Sequence, residues 1–154
     1  MSILKIVSGD YRNADAVQKL YAYITDLCKT DMPVFGYNVI PGYAVQIFMT
    51  EKQLYCKTDG QQAIHFIISF SPKERISAET LYELSKQVSY YFYNFQVVFA
   101  VHTLQSCLHT HFMVNTVSFA DGHSLICDRQ FREQLLGYCA QITYLNITDC
   151  DCFE

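Results

Sequence analysis

At 154 residues the chain is long enough for one domain with a real core and short for two. Its composition, 51% hydrophobic and 17% charged, excludes global disorder, and only three prolines and six glycines argue against long irregular loops. Eleven basic residues face fifteen acidic ones, without a basic cluster; this votes mildly against nucleic acid, although a metal ion and a few local cations could serve a short single strand.

The N-terminal "MSILKIVSGDY" has an apolar run too short for a signal peptide or a membrane span, so a soluble cytoplasmic protein with no membrane segment is expected. Residues 2–7 read as a strand. Helix is expected from about Ala14 to Leu27, with Asn13 as N-cap and Val17, Leu20, Tyr21, Ile24 and Leu27 on one face. "KTDMPVFGYNVIPG" breaks helix, and a shorter helix follows over Ala44–Leu54. "AIHFIISF", 63–70, is apolar and strand-like. The next helix runs from Ala78 to about Tyr91, with Ser77 as N-cap and Leu81, Leu84 and Val88 as its buried stripe. Strands over 95–103 and 109–119 are separated by a loop short enough for a hairpin. A helix over 128–140, a last strand in "QITYLNIT" and a polar tail complete the chain. The fold class is therefore α+β, a mostly antiparallel sheet of about five strands packed with helices, as a single domain over 1–154. The seven cysteines form no CxxC pair, and reduced thiols are expected.

Three of the five histidines lie in "HTLQSCLHTHFMVN", 102–115. Strand side chains alternate faces, so His109, His111, Met113 and Asn115 share one. A hairpin would return His102 beside that pair. Three neutral imidazoles converging from two strands could hold a divalent metal with open positions; spacing alone favours hydrogen-bonded, partly buried histidines over a metal site. His65 shares a strand face with Ile67 and Ser69, and the two polar groups need partners there. On the first helix Tyr21 falls within the apolar stripe, while Tyr23 falls at its flank, where its hydroxyl could face a neighbouring site.

"HTLQSCLHTHFMVNTVSF" resembles the third motif of the MobA/VirD2-type relaxases, the mobilisation nucleases of plasmids and conjugative elements. "AIHFIISFSPKE" is similar to their second motif and "YITDLCKT", 23–30, to their first; "SFADGHSL" also fits. The motifs keep the family's order and intervals across about residues 1–125. The resemblance implies an HUH-type nuclease with a palm-like sheet, acting on single-stranded origin DNA, with accessory mobilisation proteins as further partners. It implies Tyr23 as nucleophile, forming a 5′-phosphotyrosyl ester, and Mg²⁺ or Mn²⁺ held by His102, His109 and His111. It also implies orienting or DNA-contacting roles for His65, Ser69, Asn115 and Lys29. A phenol, with its ordinary pKa of about 10, needs a metal's charge or a base to attack a phosphodiester.

Leu104 stands where the family usually has an aspartate. Either another carboxylate is expected to orient the histidine or the metal site is weaker. The chain is also shorter than most relaxase domains, and acidic. Two other readings follow: a non-cleaving relative that binds single-stranded DNA or a partner protein, and another HUH enzyme such as a replication initiator or transposase. A tyrosine placed ahead of the histidines, in an N-terminal helix, favours the relaxase over the latter.

Overall fold

A computed structural model describes residues 2–143 and 147–149. Among them, six strands form one sheet: β1 Ser2–Ile6, β2 Phe35–Tyr37, β3 Ala63–Ser69, β4 Val97–His102, β5 His109–Asn115 and β6 Ile147–Asp149. Their order across the sheet is β2-β4-β5-β3-β1-β6. All neighbours are antiparallel except β1 and β6, which run parallel. The helices are α1 Ala16–Ile24, α2 Ala44–Leu54, α3 Ala78–Ser89 and α4 Arg129–Thr143. This is the expected α+β architecture, and none of these helices is long and apolar enough to cross a membrane.

Both faces of the central strands are covered, which explains their nearly continuous apolar runs. On one face Phe66, Ile68, Phe99, Phe112 and Val114 pack with Leu81 and Val88 of α3 and with Leu135 and Cys139 of α4. The Phe66 and Phe112 rings stack there, 4.4 Å between centroids. On the other face Ala63, Val98 and Met113 meet Val17, Leu20 and Ile24 of α1 and Ala44 and Phe48 of α2. Two steps along β5 from Met113, that second face presents His111, and then His109.

The departures from expectation have local causes. Within "KTDMPVFGYNVIPG" lies β2, an edge strand of three residues, too short for alternation to be visible. It pairs Phe35 with Phe99 and Tyr37 with Val97. Gly36 is required there, because a Cβ would lie 2.1 Å from the Val39 carbonyl oxygen. Helix α1 is shorter than expected: Asp15, not Asn13, is its N-cap, and Leu27 lies beyond its end and is exposed. In α3, Ser85 rather than Leu84 is buried, bonding the Thr110 hydroxyl at 2.9 Å. The paired part of β5 stops at Asn115. Residues 141–143, read as strand, continue α4, whose buried positions 135, 139 and 143 recur every four residues. Residues 144–146 of that expected strand, and the tail with Cys150 and Cys152, lie outside the described residues. Cys28, Cys56, Cys107 and Cys139 are free thiols.

A buried polar network braces the far end of β5. The fully buried Lys52 of α2 donates to the Asn115 side-chain carbonyl and, at 3.1 Å, to the Thr116 hydroxyl. Asn115 in turn donates to Gln96 at 2.8 Å. Burial pushes the Lys52 ammonium down to about 8. Above that pH the folded protein binds fewer protons at this site than the unfolded chain, so its contribution to stability rises with pH up to the ordinary lysine value. Cys139, pushed up to about 12 by burial, works in the opposite direction. Comparing two variants that share Cys139 isolates the lysine. In urea unfolding, wild type is expected to gain about 2 kcal/mol relative to Lys52→Met between pH 8 and 10. A pH-independent difference would contradict the buried, deprotonating lysine.

Candidate metal centre

The β4–β5 hairpin aligns His102 directly opposite His109, and strand alternation adds His111 on the same face. Ring centroids are 4.2 Å apart for His102 and His111, and 5.0 Å for each of the other two pairs. One nitrogen from each of the three rings lies within 4.8 Å of the others, a cluster that could hold a metal ion.

The other nitrogen of each ring is tied to the protein. His102 Nε2 donates to the Ile24 carbonyl at 2.8 Å. In the neutral ring this leaves Nδ1 as a bare acceptor, and that atom is buried with no hydrogen-bond partner. An unsatisfied buried acceptor is costly, and a cation would satisfy it. His109 Nδ1 donates to the Cys107 carbonyl at 2.7 Å, which leaves its Nε2 as acceptor. His111 Nδ1 lies 2.8 Å from His65 Nε2. Burial, then the neighbouring imidazoles, hold the His111 pKa far below the usual histidine range; burial also lowers that of His102. These two rings are neutral at physiological pH and would lose no proton on ligating an ion. The donor set therefore fits a divalent metal.

The group that orients His102 is a backbone carbonyl, not a replacement carboxylate. Leu104 itself is exposed, and its N–H and that of Thr103 donate to the Lys29 carbonyl at 3.1 Å each. The Ile24 carbonyl sits at the last residue of α1, next to Tyr23. Ile24 is buried in the core, so the same helix end fixes His102 and carries Tyr23 to the cluster. The Tyr23 ring is 49% exposed, and its centroid lies 5.5 Å from that of His111 and 6.4 Å from those of His102 and His65. The Lys29 ammonium stands over this ring, 3.6 Å from its centroid. Tyr21 packs against the core under α1 and α2.

His65 lies against the cluster, and its Nδ1 is 2.8 Å from the Tyr11 hydroxyl. Burial, and then the neighbouring His102 imidazole, push its pKa down to about 4. Ser69 is paired across the sheet with His109. Asn115 is not brought to the cluster; it is fully buried in the Lys52 network. Tyr11 escaped the sequence reading because it sits in an irregular segment without periodicity.

Two clefts meet at His65, beside the cluster, and share Val7, Asp10 and His65 as walls. One, of about 550 Å³, is lined by Tyr11, Tyr23, His111, Lys5 and Lys19; the other, of about 720 Å³, by Arg12, Arg132, Gln61 and Thr116. Four cationic side chains thus line the clefts against the carboxylates of Asp10 and Asp15. In the cleft that holds Tyr23 and His111, Lys5 and Lys19 are balanced by Asp10 and Asp15, with Lys19 and Asp15 paired at 2.6 Å; the cleft walled by Arg12 and Arg132 is net positive.

A family model described as relaxase, MobA/VirD2-like, nuclease domain, matches residues 23–144, most of the chain. No curated protein and no solved structure matches it.

Calorimetric titration with Mn²⁺ tests the cluster. Wild type is expected to bind one ion, and His102→Ala, His109→Ala and His111→Ala each to weaken binding by more than about 100-fold, beyond the usual effect of losing an orienting partner. Wild-type affinity in all three variants would exclude the cluster as a metal site.

Proposed function

The chain belongs to the MobA/VirD2-like relaxase nuclease family, and from that premise we propose that it nicks one DNA strand at a transfer origin by tyrosine transesterification. The observation that carries this reading is the approach of Tyr23 to His102 and His111 in a cluster of three imidazoles, each with one nitrogen left over from its bonds to the protein. The activity serves mobilisation of a plasmid or conjugative element, in the cytoplasm, with single-stranded origin DNA as substrate and accessory mobilisation proteins as further partners. Residues 1–154 act as one nuclease domain.

In this reading His102 would hold a divalent ion, Mg²⁺ or Mn²⁺, through Nδ1, and His109 and His111 through Nε2. Bound there, the ion supplies positive charge to the non-bridging oxygens of the scissile phosphate. The Tyr23 hydroxyl oxygen attacks phosphorus and releases its proton. The bond from phosphorus to the 3′ oxygen breaks, and that oxygen takes up a proton. The 5′ end remains on Tyr23 as a phosphotyrosyl ester, which keeps the phosphodiester's energy and lets the 3′ hydroxyl religate the strand. Lys29 holds the Tyr23 ring by its cation–π contact. Arg12 and Arg132, in the wall of the larger cleft, receive the strand's phosphates beside the site.

The Ile24 carbonyl supports cutting over a non-cleaving role, because it supplies the orienting acceptor that Leu104 cannot. The position of Tyr23 in a helix ahead of the histidines supports a relaxase over a replication initiator or transposase.

Incubation with Mn²⁺ and single-stranded oligonucleotides carrying the element's transfer origin, followed by denaturing electrophoresis, tests the nucleophile. Wild type and Tyr21→Phe are expected to form a covalent protein–DNA adduct. Tyr23→Phe is expected to reduce it to background while keeping its fold and Mn²⁺ affinity. An adduct that persists in Tyr23→Phe would overturn the assignment.

A further inference from the structure

His102 and His109 are oriented by backbone carbonyls, which can only accept a hydrogen bond. His111 is different. Its Nδ1 meets another imidazole, His65 Nε2, and either nitrogen could carry the proton. A ligand nitrogen at Nε2 requires the proton on His111 Nδ1, so something must make His65 Nε2 an acceptor. Among the described residues, the partner of His65 on its other nitrogen is the Tyr11 hydroxyl, 2.8 Å from Nδ1.

We propose that Tyr11 is a positioning residue for the metal site, fixing through His65 the tautomer in which His111 presents Nε2 to the ion. In this arrangement His111 Nδ1–H donates to His65 Nε2 and His65 Nδ1–H donates to the Tyr11 oxygen, a hydroxyl that can accept this bond while its own proton turns into the cleft. It ends on a phenol at the wall of the 550 Å³ cleft that Tyr23 also lines. Tyr11 lies ahead of residues 23–144, so the family match does not speak to it.

The segment carrying Tyr11 is built for this contact. The Tyr11 carbonyl accepts from Gln62 N–H at 2.8 Å, just before β3, and Val7 N–H donates to the His65 carbonyl at 2.8 Å. Both ends of the turn are therefore anchored to the strand that carries His65. Gly9 makes room for the ring: a Cβ there would fall 2.6 Å from Tyr11 Cζ and 2.9 Å from its hydroxyl oxygen. An alanine at this position would push the far end of the Tyr11 ring off His65 without removing the hydroxyl.

The inference rests on reading His111 as a metal ligand, and its test separates the two. Long-range ¹⁵N–¹H correlation spectra of the metal-free protein report the proton position on His111, and Mn²⁺ titration reports affinity. Wild type is expected to show one His111 tautomer, protonated at Nδ1. Tyr11→Phe and Gly9→Ala are expected to show a mixture and bind Mn²⁺ about 10-fold more weakly. His65→Gln, which keeps an acceptor for His111, is expected to retain the wild-type tautomer, and His65→Leu to lose it. An unchanged tautomer in Tyr11→Phe would overturn the proposal. Failure of wild type to bind Mn²⁺ would overturn the ligand reading instead, while the metal-free spectra still decide whether Tyr11 sets the tautomer.

Discussion

The register of β4 against β5 is the constraint on which the site depends. With His102 opposite His109, all three imidazoles share the face that α1 approaches. A slip of one residue would turn His102 to the other face, which Phe66, Phe99 and Phe112 fill, and take it away from His109 and His111. The aromatic core prevents that slip: Phe99 pairs with Phe112 across the hairpin, and Phe112 stacks on Phe66 from β3. The buried face thus sets the geometry of the polar one. Fully buried Val98 and Met113, packed under α1, fix the helix over the same strands.

The helix end completes what the sheet begins. Ile24 anchors the last turn of α1 in the core, and its carbonyl orients His102. Tyr23, one residue earlier, faces outward to the cluster. One short segment therefore ties a candidate ligand to a candidate nucleophile, so their relative position does not depend on a flexible loop. The loop that bears Leu104 is held separately, through the Lys29 carbonyl, and Lys29 covers the Tyr23 ring. The acidic balance of the chain is not uniform over its surface. A net charge of −4 coexists with a cleft walled by Arg12 and Arg132 against Asp10, while Lys5 and Lys19 in the neighbouring cleft are balanced by Asp10 and Asp15.

Much of this was legible in the sequence, and the rest was hidden for physical reasons. Alternation alone placed His109 and His111 together, and a short loop placed His102 opposite, because strand geometry has a period of two. The flank position of Tyr23 followed from helical spacing in the same way. What escaped depends on contacts between distant segments. Leu104 pointed to a carboxylate or a weak site; the acceptor is a backbone carbonyl, a group every residue carries and no sequence pattern marks. Tyr11 sits in a turn without periodicity, and its importance is visible only once β3 brings His65 beside it. Asn115 shares the histidines' face, yet parity does not tell distance along a strand, and the structure binds it to Lys52. The edge strand β2 is too short to read against its prolines.

The metal site depends most directly on the tautomers that leave one acceptor on each ring. A crystal structure grown with Mn²⁺, with the ion located by its anomalous scattering, measures that outcome. The expected result is one ion bonded to His102 Nδ1, His109 Nε2 and His111 Nε2 at about 2 Å, with the Ile24 carbonyl still accepting from His102 and the Tyr23 side chain on the open side of the ion. An ion bound through His102 Nε2 with the Ile24 bond broken, or no ion among the three rings, would contradict it.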